Sequence, residues 1–202
     1  MRRALIVLNI VIKVGLVLLL AHALLWPDLP QYAGKGIASR LVLYPLGVVI
    51  VPLVWWIVTK LRGTRAGEDV RYPLGADILI SAPFTIDTLG NALNLFNTID
   101  RWDDIMHFTQ WALLLGGVGL LIEHKVPGRT LRLVLIPALG ALIALVWEIA
   151  EYFAFLRNSP ELQTAYTDTL GDMTLGTLGA LLTSVVLVAT YPARSRRATY
   201  GG

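Results

Sequence analysis

The chain has 202 residues, of which 55% are hydrophobic and only 15% are Asp, Glu, Lys or Arg, with a formal net charge of +3 and no cysteine. Soluble domains sit near a quarter charged, so an ordinary soluble domain is excluded, as are disordered, collagenous and disulfide-stapled chains. Disulfides, thiolate metal sites and cysteine nucleophiles are excluded by composition alone.

The apolar residues fall into six runs, each near the roughly 20 residues a bilayer-crossing helix needs. The first covers about Ala4 to Trp26, interrupted by Lys13 and closed by Pro27. The second runs from Leu41 to Leu61, the third from Pro73 to Phe96, and the fourth from Asp104 to Ile122. The fifth spans Leu131 to Leu156 and the sixth Asp168 to Tyr191. Lipid cannot hydrogen-bond an exposed backbone, so such runs are read as helices. The third carries Asp77, Pro83, Asp87, Asn91 and Asn94, and groups of that polarity belong inside the bundle, facing protein or water. Met1-Arg2-Arg3 ahead of an apolar stretch and Ala21-His22-Ala23 loosely resemble a signal peptide. The stretch is long for that role and Lys13 breaks it, so a retained helix is the expectation. The longer connections, Pro27 to Arg40 and Arg62 to Tyr72, have the glycine and polar content of loops. The fold class expected is therefore all-α: a polytopic membrane protein with six transmembrane helices in one bundle and a single domain.

Orientation follows from the basic residues. Arg2, Arg3, Lys60, Arg62, Arg65, Arg71, Lys125, Arg129, Arg132, Arg194, Arg196 and Arg197 flank one side of the runs. Lys35, Arg40, Arg101 and Arg157 flank the other. The positive-inside rule then puts both termini in the cytoplasm, with a bacterial inner membrane as the expected location and the bilayer as the obligate partner. The loops are too short to build a nucleic-acid reader, and the C-terminal arginines are accounted for by topology and anionic lipid.

With that topology most acids lie in the outer half: Asp28, Asp87, Asp100, Asp103, Asp104, Glu148, Glu151, Glu161, Asp168 and Asp172. Their spacing is informative. Asp103 and His107 are four apart, Glu148 and Glu151 three, Asp168 and Asp172 four, and Asp87 and Asn91 four, so each pair shares a helix face. Pairs of this kind projecting into a bundle build carboxylate–histidine metal sites in soluble four-helix proteins. A plainer account is that acids at helix N-termini favour the macrodipole, which serves Asp103, Asp104, Asp168 and Asp172. It fails for Glu148 and Glu151, which stand near a helix C-terminus behind the apolar run Ala138 to Trp147. His22 and His124 lie near helix ends and read as interfacial. Asp77 pairs by depth with Lys13. Gly116-Gly117-Val118-Gly119 and the stretch Gly171 to Gly179 read as close-approach surfaces between helices.

Three of these segments carry a resemblance. Asp103-Asp104-Ile105-Met106-His107-Phe108, Trp147-Glu148-Ile149-Ala150-Glu151-Tyr152 and Asp168-Thr169-Leu170-Gly171-Asp172-Met173, followed by Leu178-Gly179-Ala180, resemble the pattern of an uncharacterised six-helix bacterial inner-membrane family. That family is itself similar to the VanZ-like proteins. The resemblance covers about Asp100 to Leu182, and Gly176 stands where the VanZ-like pattern commonly has Asn. It implies a polytopic membrane protein, and VanZ-like relatives are linked to glycopeptide-antibiotic tolerance; it carries over no substrate.

Three functions compete on these residues. In a membrane metalloenzyme, Asp103, His107, Glu148 and Asp172 are the candidate ligands of a divalent metal (zinc, manganese or iron suit hard oxygens and one imidazole). Glu151, as a general base or a support for the ligands, and Asp168 are then the candidate catalytic residues, Asp87 and Asn91 further members of the polar site, and a lipid, envelope intermediate or small molecule the substrate. In a proton- or ion-coupled transporter, Asp77, Asp87 and Glu148 form a relay and Pro83 breaks the third helix. In a non-catalytic scaffold the acids are a solvated rim.

Overall fold

The structure, a computed structural model, describes residues 1–61, 71–123, 125–126, 128–154 and 156–190. Arg62, Arg65, His124, Tyr191, Arg194, Arg196 and Arg197, together with most of the connection from Arg62 to Tyr72, lie outside the described residues. Seven α-helices, and no strand, form among the described residues: α1 Arg2–Leu25, α2 Ile37–Leu61, α3 Leu74–Ala92, α4 Leu95–Thr98, α5 Trp102–Ile122, α6 Arg129–Ala154 and α7 Ala165–Thr190. Short 3₁₀ turns occur at Pro30–Tyr32, Leu156–Asn158 and Pro160–Gln163.

Five helices, α1, α2, α5, α6 and α7, are long and apolar enough to cross a membrane. α3 is not among them, because Asp77, Ser81, Thr85, Asp87, Thr88 and Asn91 dilute its apolar content. Those same residues explain where it sits. α3 packs against α1, α2 and α5, and Asp77, Ser81, Thr88 and Asn91 are almost wholly buried. α1 shows the converse pattern: Asn9, Leu16, Leu20 and Ala23, its buried residues, lie on one stripe at helical spacing that faces α3, and the rest of its apolar surface is exposed.

Two boundaries differ from the apolar runs for physical reasons. α2 starts at Ile37, four residues before the run does, so Arg40 is a helical residue and not a loop charge. α3 stops at Ala92, short of Phe96, because Asn94 adopts a left-handed φ of 60°, a conformation Asn tolerates better than most residues. The chain restarts as the single turn of α4, and a second left-handed residue, Arg101 (φ 60°), precedes α5.

The other half of the molecule is a tight group in which α7 packs against both α5 and α6. Glycine makes the approach possible. A Cβ on Gly179 would collide with the carbonyl oxygen of Phe108 in α5, and one on Gly117 would lie 2.8 Å from the carbonyl oxygen of Ala76 in α3. Gly176 is covered by the indole of Trp111, so the position where the VanZ-like pattern has Asn is a packing contact here. Around this seam Trp111, Leu115, Ile136, Ala144, Ala180 and Leu187 form the main buried apolar cluster. Interior prolines occur in α2 (Pro45, Pro52), α3 (Pro83) and α6 (Pro137).

Gly179→Ala is expected to destabilise the purified protein by about 1–3 kcal/mol, the usual penalty of overpacking. Gly171→Ala, with nothing within 4 Å of the added methyl, is expected to be neutral or slightly stabilising; thermal unfolding in detergent separates the two.

Candidate functional site

The polar residues of α3 divide into two networks that share no partner among the described hydrogen bonds. The first centres on Asp77, which has no exposed surface. Its carboxylate accepts from Asn9 Nδ2 at 2.8 Å, Lys13 Nζ at 2.7 and 2.9 Å, Tyr72 Oη at 2.6 Å and Ser81 Oγ at 3.3 Å. Two of these donors come from α1, one turn apart, so the Lys13–Asp77 pairing read from depth is present and part of a larger set. Burial, then the hydrogen bond to Asp77, raises the Tyr72 phenol above its ordinary pKa and keeps it a donor. A carboxylate with donors on every side is a structural lock between α1 and α3, because a buried charge persists only when paired and hydrogen-bonded.

The second network lines a cavity of about 210 Å³ at the opposite end of α3. Asp87 accepts from Arg40 Nε at 2.9 Å and Tyr44 Oη at 2.7 Å, with Arg40 Nη2 at 3.4 Å and Asn91 Nδ2 at 3.5 Å. Arg40 and Tyr44 are four apart on α2, so one helix face delivers both donors. Sequence reasoning missed these two. The available signal was an arginine and a tyrosine one turn apart at the head of an apolar run, but Arg40 was counted as a flanking charge. Asn91 Nδ2 also donates to the Asp87 carbonyl at 3.0 Å, while its buried Oδ1 has no partner.

Asp103, His107 and Glu151 share the cavity lining with Arg40, Tyr44 and Asp87. On the α5 side, His107 Nε2 lies 3.8 Å from Asp103 Oδ1 and 3.6 Å from Asp172 Oδ1. One ligand atom from each of these three residues lies within 4.8 Å of the others. Neither separation is a hydrogen bond, and the buried Nδ1 of His107 has no partner either. Asp172 is buried at the α5–α7 seam, whereas Asp103 is half exposed. Glu148 is buried, accepts from Thr169 Oγ1 of α7 at 3.0 Å, and stands outside the three-residue group. Asp168 is exposed on the first turn of α7. Lys35 Nζ sits 5.7 Å from the centroid of Phe96, another lining residue.

Chemically, the cavity lining carries three carboxylates, those of Asp87, Asp103 and Glu151, and one permanent cation, Arg40, which Asp87 already engages; Asp172 stands beside His107 outside that lining. The deeper lining is apolar: Pro83, Phe84, Leu114, Ile143 and Trp147. The three-residue group fits a divalent ion. Tetrahedral ligands at about 2.0–2.1 Å from zinc stand about 3.4 Å apart, close to the two histidine–carboxylate separations, and the three donors converge without satisfying one another.

The contrast between the networks is testable. Lys13→Met strands the buried Asp77 charge and is expected to cost about 3–5 kcal/mol, with part of the loss recovered in Lys13→Met/Asp77→Asn, as read by thermal unfolding in detergent.

No curated protein and no solved structure matches the chain. The family described as "Predicted membrane protein (DUF2238)" matches residues 12–193, which takes in most of α1, all of α2 to α7 and the polar residues described above except Asn9. The chain is a multi-pass membrane protein belonging to that family.

Proposed function

We propose that this is a six-span protein of the bacterial inner membrane, one domain with both termini cytoplasmic, carrying a divalent-metal centre at the outer end of the bundle that acts on a lipid or envelope intermediate. α3 is the sixth span in this reading: its polar residues are buried against α1, α2 and α5, the arrangement that lets a polar helix lie at membrane depth. Counting Lys and Arg beside the helices places Lys60 and Arg129 inside and Lys35, Arg40 and Arg101 outside.

The observation that carries the metal centre is the convergence of Asp103, His107 and Asp172 from two helices on one point. Asp103 and His107 are one turn apart on α5 and Asp172 meets them from α7 across the Gly179 seam, so packing fixes their separation. The surrounding carboxylates favour a positive charge, since anions held close together repel. A divalent ion bound there supplies Lewis acidity. The chain's own residues supply the rest. Asp103, His107 and Asp172 hold the ion, and Glu148, fixed by Thr169, adds negative charge beside it. Glu151, across the cavity, is placed to take or give a proton, and Asp168 on the exposed turn of α7 faces solvent as a second proton carrier. Asp87, with Asn91 beneath it, positions Arg40 at the cavity wall.

Elemental analysis of the protein purified with zinc or manganese and then exchanged into metal-free buffer is the test. Near-stoichiometric metal is expected in the wild type, with His107→Ala and Asp172→Asn losing most of it and Asp104→Asn unaffected. Metal-free wild type, or a His107→Ala protein that keeps its metal, overturns the proposal.

A further inference from the structure

Beside the cavity lies a second, shallower space that faces sideways. α2 packs on α1 and α3, and α6 packs on α7, but α2 and α6 hardly touch each other. Between them lies a shallow cleft lined by Ser39, Arg40, Leu43 and Tyr44 from one side and Trp147, Ala150, Glu151 and Ala154 from the other. Arg40, Tyr44, Trp147 and Glu151 line both the cleft and the cavity, and Trp147 packs against the cluster of Leu16, Leu20, Tyr44 and Val48, so a wall one side chain thick separates the two spaces. Ser39, Ala150 and Ala154 are too small to close the gap. Leu43, Ala150 and Ala154 are exposed on the flank of two helices long and apolar enough to span a bilayer. The notch thus lies at the neighbouring ends of these two helices, on their outward flank.

We propose that the α2–α6 cleft is a lateral portal through which a single-chain membrane amphiphile reaches the cavity, its chain against Phe84, Leu114, Ile143 and Trp147 and its headgroup among Arg40, Asp87, Asp103 and Glu151. The charge balance selects the headgroup. Acidic side chains dominate the polar end and Arg40 is held by Asp87, so the site favours a hydroxyl- or ammonium-bearing head, which donates hydrogen bonds, over a phosphate. Carboxylates so placed disfavour a like charge. The proposal names the substrate class of the metal-centre reading and rests on it only for what is done to the amphiphile, not for the route.

The test uses the full chain in lipid nanodiscs and three photoactivatable probes with the same diazirine-bearing acyl chain: a monoacylglycerol, an ammonium head and a phosphate head. Peptide mapping is expected to place monoacylglycerol and ammonium label on the Trp147–Ala154 segment, with the phosphate probe labelling it several-fold less. Ala150→Trp fills the notch; losing about two methylenes' worth of chain burial lowers labelling about tenfold. Ile149→Trp, on the exposed face of α6 beside the cleft, leaves labelling unchanged. Equal labelling of wild type and Ala150→Trp, or strongest labelling by the phosphate probe, overturns the portal. Asp172→Asn, at a proposed ligand outside the cavity lining, separates the two readings: it abolishes metal binding and leaves labelling intact, whereas failure of the metal test with labelling preserved defeats the metal centre and not the portal.

Discussion

A buried carboxylate has to be surrounded by donors, and that necessity organises the molecule. α3 carries Asp77 and Asp87 ten residues apart, too far to share donors, so each recruits its own set from a different helix. Asp77 draws α1 onto one part of α3 through Asn9 and Lys13, and Asp87 draws α2 onto the other through Arg40 and Tyr44. Neither α1 nor α2 has a polar reason of its own to choose that place, since their remaining surfaces are apolar and exposed. Hydrophobic burial cannot select it either, because lipid is as apolar as leucine. Specific polar bonds and close glycine packing are what remain.

Those two devices are divided between the halves. α1, α2 and α3 are joined largely by carboxylate networks; α5, α6 and α7 are joined by steric fit, with Gly179 against the Phe108 backbone and Gly140 against Ala180. The cavity lies where the halves meet, which is why its wall is mixed. Arg40, Tyr44 and Asp87 come from the first half, His107, Asp103 and Glu151 from the second, and aromatic and aliphatic side chains from both close its base.

The helices were legible in the sequence because the signal for a bilayer-length apolar run is strong and local. So was half of the candidate site: Asp103 and His107 share a face by spacing alone, and Asp172 was visible as an acid at matching depth on another helix. Rotation about the helix axes was not legible. Spacing says that Glu148 and Glu151 lie on one side of α6, but not that Glu148 meets Thr169 while Glu151 lines the cavity with Arg40. Arg40 was hidden for a different reason. A charge at the edge of an apolar run reads as a loop residue, and only its partner Asp87, 47 positions away, draws it inside the helix. Likewise nothing in the apolar pattern marks the end of α3, which depends on the left-handed backbone at Asn94.

The interior prolines cut across that division. Pro45 and Pro52 in α2, Pro83 in α3 and Pro137 in α6 each lack the amide hydrogen that would bond one turn back, while α5 and α7 have no interior proline. A helix missing such a bond bends there at lower cost than an intact one. Softness therefore resides in α2, α3 and α6, most of all in α2 with its two prolines, while the pair holding His107 and Asp172 is stiff. Built this way, the protein can breathe around whatever occupies its interior without disturbing the spacing of the two side chains on which the proposed coordination depends.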